Sequence, residues 1–395
     1  MPGATDNAGS AACDVTLVAN AVGSVGGMER QLEELVIGLS RLGHHVTVIA
    51  RSCELPGDVE VTFYRVRGPR RPFLVGYPWF MLAGSLAVRR WRRGVVQATG
   101  AIVLNRVDAI AVHYCHQVGR ATPSRPTTLF RWYVRVVGWV KRAAERLCFR
   151  ANSSATFVCV SDGVAEEMRE HYPEIADRVV TIHNGVDTEA FAPGVCEHEA
   201  LTLRATLEIP EGRLVAAFVG GEWERKGLRL ALEALALAPN WDLVVAGRGD
   251  ERRYQEVADS LGVGEAVHWL GITRDIQVVY ELADAFVLPS SYETFSLVTF
   301  EAAASALPVL ATPVSGVREL IQDGENGFLI DLDSSVIAQR LTQLAKDPAL
   351  RGRLGQAARQ SALRFGWDVM VAEHHKLYSR LSPVPVDMRD VGSQA

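Results

Sequence analysis

Twice along this chain an apolar run stops at glycine, a stretch follows with apolar side chains three and four residues apart, and a second apolar run closes the unit. In the first instance Asp14 to Ala21 reads as a buried strand, and Gly23, Gly26 and Gly27 permit a tight turn. Leu32, Leu35, Val36, Leu39 and Leu42 then recur at helical spacing until Gly43, before the strand Val46 to Ala50. In the second, the strand Leu214 to Val219 precedes a helix from about Leu228 and a strand over Leu243 to Ala246. Strands joined through a helical crossover lie parallel, so each unit seeds a parallel sheet. Further strands over Ala109 to Val112, Thr156 to Val160, Ala285 to Leu288 and Val309 to Ala311, with "AVHWLG" around 266–271, extend the two series. A chain of 395 residues, 48% hydrophobic, is long enough for two such cores. The pattern predicts an α/β protein with two doubly wound, Rossmann-like parallel-sheet domains facing each other across a cleft.

Composition narrows the setting. Cys13, Cys53, Cys115, Cys148, Cys159 and Cys196 form no CxxC pair and no regular spacing, which points to reduced thiols rather than a disulfide framework or a zinc site. No apolar run reaches the length of a membrane span, and the start lacks a charged-then-apolar leader, so the expectation is a cytoplasmic protein, peripheral at most on the inner face of the membrane. The net charge of -5 conceals an asymmetry: Arg65 to Arg150 holds seventeen Lys or Arg against Asp108 and Glu145 alone. There "RRPFLVGYPWFMLAGSLAVRRWRR" and "LFRWYVRVVGWVKRAAERLCFR" mix arginine with Trp, Phe and Tyr. That mixture suits an anionic membrane surface; the other reading is two amphipathic helices packed on the core with solvated arginines. Nucleic acid is not expected, because no recognised binding module accompanies the basic stretch.

The chemistry concentrates in residues 289–308, "PSSYETFSLVTFEAAASALP". Pro289, Ser290 and Ser291 close a strand, and Leu297 to Leu307 has helix-forming composition until Pro308. Glu293 falls before that helix and Glu301 about one turn inside it. A helix start offers free N–H groups to phosphate, and carboxylates beside it can accept bonds from hydroxyls, the two parts of a nucleotide-sugar. The alternative is a pair of solvated surface glutamates. Arg225 and Lys226, in "GGEWERKG", follow a strand end and stand at the expected opening of a helix; cations there oppose the helix dipole, which an anionic ligand would explain.

The segment resembles the donor-binding motif of retaining GT-B glycosyltransferases of family 4 (glycosyl transferases group 1), in which two glutamates are separated by seven residues. The likeness continues, in the family's order, through "IHNGVDTEAFAP" at 182–193, "FVGGEWERKG" at 218–227, "PVLATPVSGVREL" at 308–320 and "DGENGFLI" at 323–330. It implies an acceptor-binding domain over 1–187, a nucleotide-sugar domain over 188–366, and a returning helix within 367–395, with Arg389 onwards a loose tail. It also implies transfer of a hexose, with retention, from a nucleoside diphosphate sugar to a hydroxyl; the basic, aromatic first domain makes lipid-linked or surface-glycan precursors the expected acceptors. UDP is preferred to GDP, and neither a cofactor nor a metal is expected. A sugar epimerase or phosphorylase of the same fold, or a non-catalytic sugar-nucleotide or membrane-binding module, are the rival readings.

By the same resemblance, Arg225 and Lys226 hold the diphosphate, and Glu293 contacts sugar hydroxyls. The backbone of Thr294, Phe295, Ser296 and Leu297 meets sugar or phosphate, and Glu301 accepts the ribose hydroxyls. Gly26 and Gly27 approach the diphosphate or sugar from the other domain, and Arg274 lies near the base. His113 orients the sugar, with His116 as its substitute. Asp331-Leu332-Asp333 imitates a DxD metal motif but falls where the family has a surface turn. The chain departs from the family pattern at Gly221, where arginine is common, and at Ser296 and Ala306, where glycine is. A positive φ at Ala306 would cost on the order of 1 kcal/mol.

Overall fold

The structure, a computed structural model, describes residues 12–24, 26–118 and 128–382. Arg120, Arg125 and the tail from Arg389 lie outside the described residues. The chain forms two compact units, Met1–Val160, Ala165–Ile182 and Met370–Ala395 in the first, Ser161–Val164 and His183–Val369 in the second.

The first unit is built on β1 (Asp14–Val18), β2 (His45–Ala50), β3 (Thr62–Arg65), β4 (Val95–Thr99), β5 (Ala109–Val112), β6 (Thr156–Cys159) and β7 (Val179–Thr181). They lie in the order β3-β2-β1-β4-β5-β6-β7, and every neighbouring pair is parallel. Strand β1 stops at Val18 rather than Ala21. Its crossover is α1 (Gly27–Arg41), whose Leu32, Leu35, Val36 and Leu39 are buried as their spacing predicts. The helices α2 (Phe73–Trp91) and α3 (Thr128–Ala151) carry the basic, aromatic stretch. Helix α4 (Asp162–His171) begins within Ser161–Val164 of the second unit and continues in the first from Ala165; Ser161 Oγ accepts from the Val164 amide at 3.2 Å and caps its first turn.

The second unit repeats the plan. Strands β8 (Leu214–Val219), β9 (Trp241–Ala246), β10 (Val267–Gly271), β11 (Ala285–Leu288), β12 (Val309–Ala311) and β13 (Gly327–Leu329) lie in the order β10-β9-β8-β11-β12-β13, again all parallel. Central strands such as β8, β11 and β12 are buried almost end to end, which is why they read as unbroken apolar runs. The helices that bear on function are α5 (Trp223–Lys226), α6 (Leu228–Ala236) and α7 (Leu297–Ala304), followed by α8 (Ser334–Lys346) and α9 (Pro348–Ala362). Helix α7 ends at Ala304, not Leu307. Ala306 then takes φ 58° and Ser296, just before α7, φ 69°, so both residues standing where glycine is common adopt the glycine conformation. Asp333 accepts from the Ser335 amide at 2.8 Å and caps α8.

The last helix, α10 (Trp367–Leu381), belongs to the first unit from Met370 onward. It meets α1 closely: a Cβ on Gly38 would stand 2.4 Å from the Val371 side chain, so only glycine fits there. His375 Nδ1 lies 2.7 Å from His44 Nε2 in the same contact. All six cysteines are free thiols.

Candidate active site

Two loops at the carboxyl ends of β8 and β11 build a charged cluster, at the edge where open parallel sheets place their ligands. After β8 the chain turns at Gly220 and makes α5, a single turn that ends on Arg225 and Lys226. Gly220 is required: a Cβ there would sit 2.6 Å from the Lys226 stem, which passes over it. After β11, residues 289–293 lie against that turn. The Ser291 amide donates to the Arg225 carbonyl at 2.9 Å, and the Arg225 guanidinium donates to the Tyr292 carbonyl.

The side chains close the arrangement. Lys226 Nζ lies 2.8 Å from Glu293 Oε1, Arg225 Nη1 3.0 Å from the same oxygen, and Ser290 Oγ donates to it at 3.0 Å. Arg225 also holds Glu222 at 2.8 Å. Lys226 is 7% exposed and Glu293 8%, so this is a buried pair with a half-buried third member. Burial alone would raise the Glu293 carboxyl, but Lys226 and Arg225 outweigh it and hold it below the usual carboxylate range.

This geometry sharpens the reading of the two cations. Arg225 and Lys226 end the one-turn α5 and stand directly before α6, whose N-cap is Gly227, at the opening of that helix as expected. Glu293 supplies a counter-charge at that position, so the helix dipole alone does not call for an anionic ligand. Carboxylate and cations are one unit, and the carboxylate sets where the cations point.

The other predicted residues are distributed. Glu301, on α7 and buried, accepts from the Tyr280 hydroxyl at 3.1 Å. Phe295 is buried and stacks on Phe300 with ring centroids 4.1 Å apart, which fixes the Thr294–Leu297 turn from beneath. Arg274 is exposed in the loop after β10. Gly26 precedes α1 with φ 99°, and Gly27 is the helix's first residue, both in the first unit. Sequence reasoning missed Ser290, Glu222 and Tyr280, whose partners become neighbours only through the fold.

His113 follows β5 in the first unit. Both its ring nitrogens are shielded from solvent with no hydrogen-bond partner among the described residues, and burial, then His374, lowers its pKa to about 4. It is a neutral imidazole at neutral pH. His116 is also lowered to about 4, by burial and then Lys141 and Arg142, and its amide donates to Glu145 Oε1 at 3.1 Å. Both histidines line a cavity of about 610 Å³ within this unit.

Glu145, which the sequence offered only as a rare acid in a basic stretch, lies on the same cavity. Burial pushes its carboxyl up to about 7, although the His116 amide and the Tyr172 hydroxyl, 2.8 Å from Oε2, pull it down. The folded protein keeps this proton to about pH 7, whereas an unfolded carboxyl loses it near 4.5. The contribution to stability is therefore complete below pH 4.5 and is lost as pH rises through about 7, at most about 3 kcal/mol. Denaturant titrations between pH 4.5 and 8 should show Glu145→Gln flattening that slope. Parallel curves for the two proteins would refute the assignment.

In the second unit Asp162, His183 and Glu319 bring potential ligand atoms within 4.8 Å of one another. His183 Nε2 lies 2.8 Å from Glu319 Oε2, and Glu319 Oε1 accepts from the Asp162 and Gly316 amides at 3.0 and 3.1 Å. These contacts join the start of α4, the loop after β7 and the Gly316–Glu319 turn.

Two parallel α/β units of Rossmann order, one carrying a cation–carboxylate cluster at its strand ends, define a protein of the GT-B class. The profile of "Glycosyl transferases group 1" matches residues 200–361, and that of "Glycosyltransferase Family 4" matches residues 25–190. The D-inositol 3-phosphate glycosyltransferase of Thermomonospora curvata is 30% identical over 398 residues, 90% of this chain and 91% of that one. This chain belongs to the group 1 glycosyltransferases. It is also similar to the D-inositol 3-phosphate glycosyltransferase of Corynebacterium urealyticum, 29% identical over 61% of each chain, and to the putative glycosyltransferase EpsD of Bacillus subtilis, 37% identical over 51% of this chain and 55% of that one. The chain thus spans about three-fifths of the length of the first curated relatives it matches. Among solved structures, WaaG, a glycosyltransferase involved in lipopolysaccharide biosynthesis, shares the fold with TM-score 0.76 at 21% identity, over 92% of this chain and 99% of that one. Anabaena HepE, solved with UDP and glucose, shares it with TM-score 0.71 at 17% identity, over 93% and 100%.

Proposed function

We propose that the protein transfers a hexose, with retention, from a nucleoside diphosphate sugar to a hydroxyl acceptor, without a metal ion. The observation that carries this reading is the Arg225–Lys226–Glu293 cluster at the ends of β8 and β11. Departure of a nucleoside diphosphate builds negative charge on its phosphates, and fixed cations aimed at that charge are typically the largest catalytic contribution. Arg225 and Lys226 supply two cations against the buried Glu293 and the solvent-exposed Glu222, and the screening of Glu222 by water leaves positive potential for the diphosphate. Their orientation is set in advance by Glu293, Ser290 and the Tyr292 carbonyl, so little reorganisation accompanies binding. Glu293 keeps a second oxygen for sugar hydroxyls, Glu301 accepts from the ribose, and neutral His113 hydrogen-bonds a sugar hydroxyl. Gly26 and Gly27 admit the donor, the Thr294–Leu297 backbone meets it, and Arg274 serves the base. UDP is preferred, supported by the UDP and UDP-glucose complexes of HepE.

Thermal stabilisation by UDP-glucose, UDP-N-acetylglucosamine and GDP-mannose tests the donor, with a UDP-sugar raising Tm most. Product anomers read by NMR test retention, and turnover in excess EDTA tests metal independence. No stabilisation by any of the three, or an inverted product, would sink the respective part.

A lipid-linked or surface-glycan acceptor is supported by the outer face of α2. Val75, Trp79, Leu82 and Leu86 recur at helical spacing along it, Leu82 60% and Leu86 68% exposed, with exposed arginines at Arg71, Arg89, Arg90, Arg92 and Arg93 around its ends. Trp132 and Trp139 are exposed on α3. No described helix is long and apolar enough to cross a membrane. Apolar side chains framed by arginines fit the interface of an anionic bilayer. Flotation with phosphatidylglycerol vesicles should carry the protein, phosphatidylcholine should not, and Leu82→Glu with Leu86→Glu should abolish it. Failure to float with either lipid would refute membrane contact.

A further inference from the structure

The cavity of about 610 Å³ beside His113 combines two kinds of lining that the donor chemistry does not use. One is aromatic. Phe73 and Tyr77 stack with centroids 5.0 Å apart, and Phe80 and Phe149 complete an apolar wall on the inner side of α2 and α3. The other is cationic. Lys141 reaches in from α3, with its ammonium 5.2 Å from the centre of the Phe73 ring, and has no hydrogen-bond or ion-pair partner among the described residues. Arg70 stands at the rim.

Two charges on this wall are already committed. Arg51 spends its guanidinium on Asn20 Oδ1 at 3.0 Å and on the carbonyls of Gly68 and Gly76 at 3.2 and 2.6 Å, so it shapes the wall rather than greeting a ligand. Glu145, the acid among the lining residues, is tied to the His116 amide and the Tyr172 hydroxyl and makes no ion pair with Lys141. Desolvating an ammonium without an ion pair is costly, the Phe73 ring offsets part of that cost, and an anionic ligand would offset the rest. The shielded, unpartnered nitrogens of His113 on the same cavity call for a hydrogen-bonding ligand too.

We infer that this cavity is the acceptor site and that it selects an acceptor carrying a phosphate-like anion on an apolar body, the anion meeting Lys141 and the body lying on Phe73, Tyr77 and Phe80. The inference rests on the glycosyl-transfer reading for the word acceptor, but the binding itself does not require turnover.

The test uses the full chain with saturating UDP, so that free anions cannot report on the donor cluster. Calorimetric titration compares phenyl phosphate with phenol, which lacks the charge, and with inorganic phosphate, which lacks the body. Phenyl phosphate should bind at least about tenfold more tightly than either, the scale of one charge-assisted contact. Lys141→Gln should remove that advantage and Lys141→Arg retain most of it, while Lys226→Gln leaves it intact. Decyl phosphate distinguishes the source: tighter binding than phenyl phosphate identifies a lipid phosphate, weaker binding a soluble aryl phosphate. Ile102→Trp, which fills the cavity, should abolish binding with UDP affinity unchanged, and that affinity serves as the check on folding. Equal affinity for phenol and phenyl phosphate, or an unchanged affinity in Lys141→Gln, would overturn the inference. Loss of UDP binding with phenyl phosphate still bound would refute the donor reading and leave this one standing.

Discussion

Lys226→Ala is expected to lower turnover by roughly 10²–10³-fold, the range seen when one preorganised charge-stabilising group is removed, and to destabilise the protein by about 3 kcal/mol, the lower end for an orphaned buried charge. The lower end applies because Arg225 Nη1, at 3.0 Å, and Ser290 Oγ, at 3.0 Å, still face the Glu293 carboxylate after the lysine is gone. The two effects have different origins and can be separated. The stability loss belongs to the carboxylate left behind, so Glu293→Gln in the same chain should restore most of it. The turnover loss belongs to the missing cation and should persist in the double variant. A double-mutant cycle on denaturant stability and on UDP release measures both. Acid offers an independent check. Because the folded Glu293 carboxyl is held below its usual range, its contribution is present above the unfolded value and is lost as pH falls through the folded one, and Lys226→Ala should shrink that acid-side loss. Turnover unchanged in Lys226→Ala, or recovered in the double variant, would remove the lysine from the chemistry.

The architecture was readable where burial is symmetrical. Strands β5, β8, β11 and β12 begin and end at the residues the sequence indicates, because a strand covered on both faces leaves an apolar run with turn formers at each end. Strand β4 was not, although it lies between β1 and β5: Gln97 sits in its middle, 1% exposed, and a buried amide breaks the apolar signature. Helices α8 and α9 left cap signals at Asp333 and Asp347, but the first lies within a string that draws the eye toward metal chemistry. At the candidate site the order of motifs located Arg225, Lys226, Glu293 and Glu301. The pairing of Lys226 with Glu293 spans 67 positions and is created by β8 and β11 lying side by side, which no local pattern states. The left-handed conformation of Ala306 was legible from a resemblance alone, since alanine itself carries no such preference.

Gly227→Ala should damage the same cluster without touching a charge. Gly227 joins α5 to α6 with φ 78° and ψ 29°, a left-handed conformation that costs an alanine about 1 kcal/mol. Its surroundings make the substitution worse. A Cβ at this position would stand 2.1 Å from the Pro289 carbonyl oxygen, a backbone atom that cannot swing aside as the end of a long side chain can. The relief open to the protein is to push residues 289–293 away, and that loop carries Ser290, Tyr292 and Glu293, all in contact with Arg225 or Lys226. We therefore expect a total loss of about 3 kcal/mol, with backbone strain of about 1–3 kcal/mol adding to the conformational cost, and UDP affinity at least about tenfold weaker. Gly212→Ala is the matched control. Gly212 also has positive φ, 84°, but a Cβ there meets nothing within 4 Å, so it should lose only the conformational part and bind UDP normally. Denaturant midpoints and UDP titrations on the two variants decide the matter. If they behave alike, the contact between Gly227 and the Pro289 carbonyl does not hold the two loops in register, and the cluster owes its geometry to the salt bridges alone.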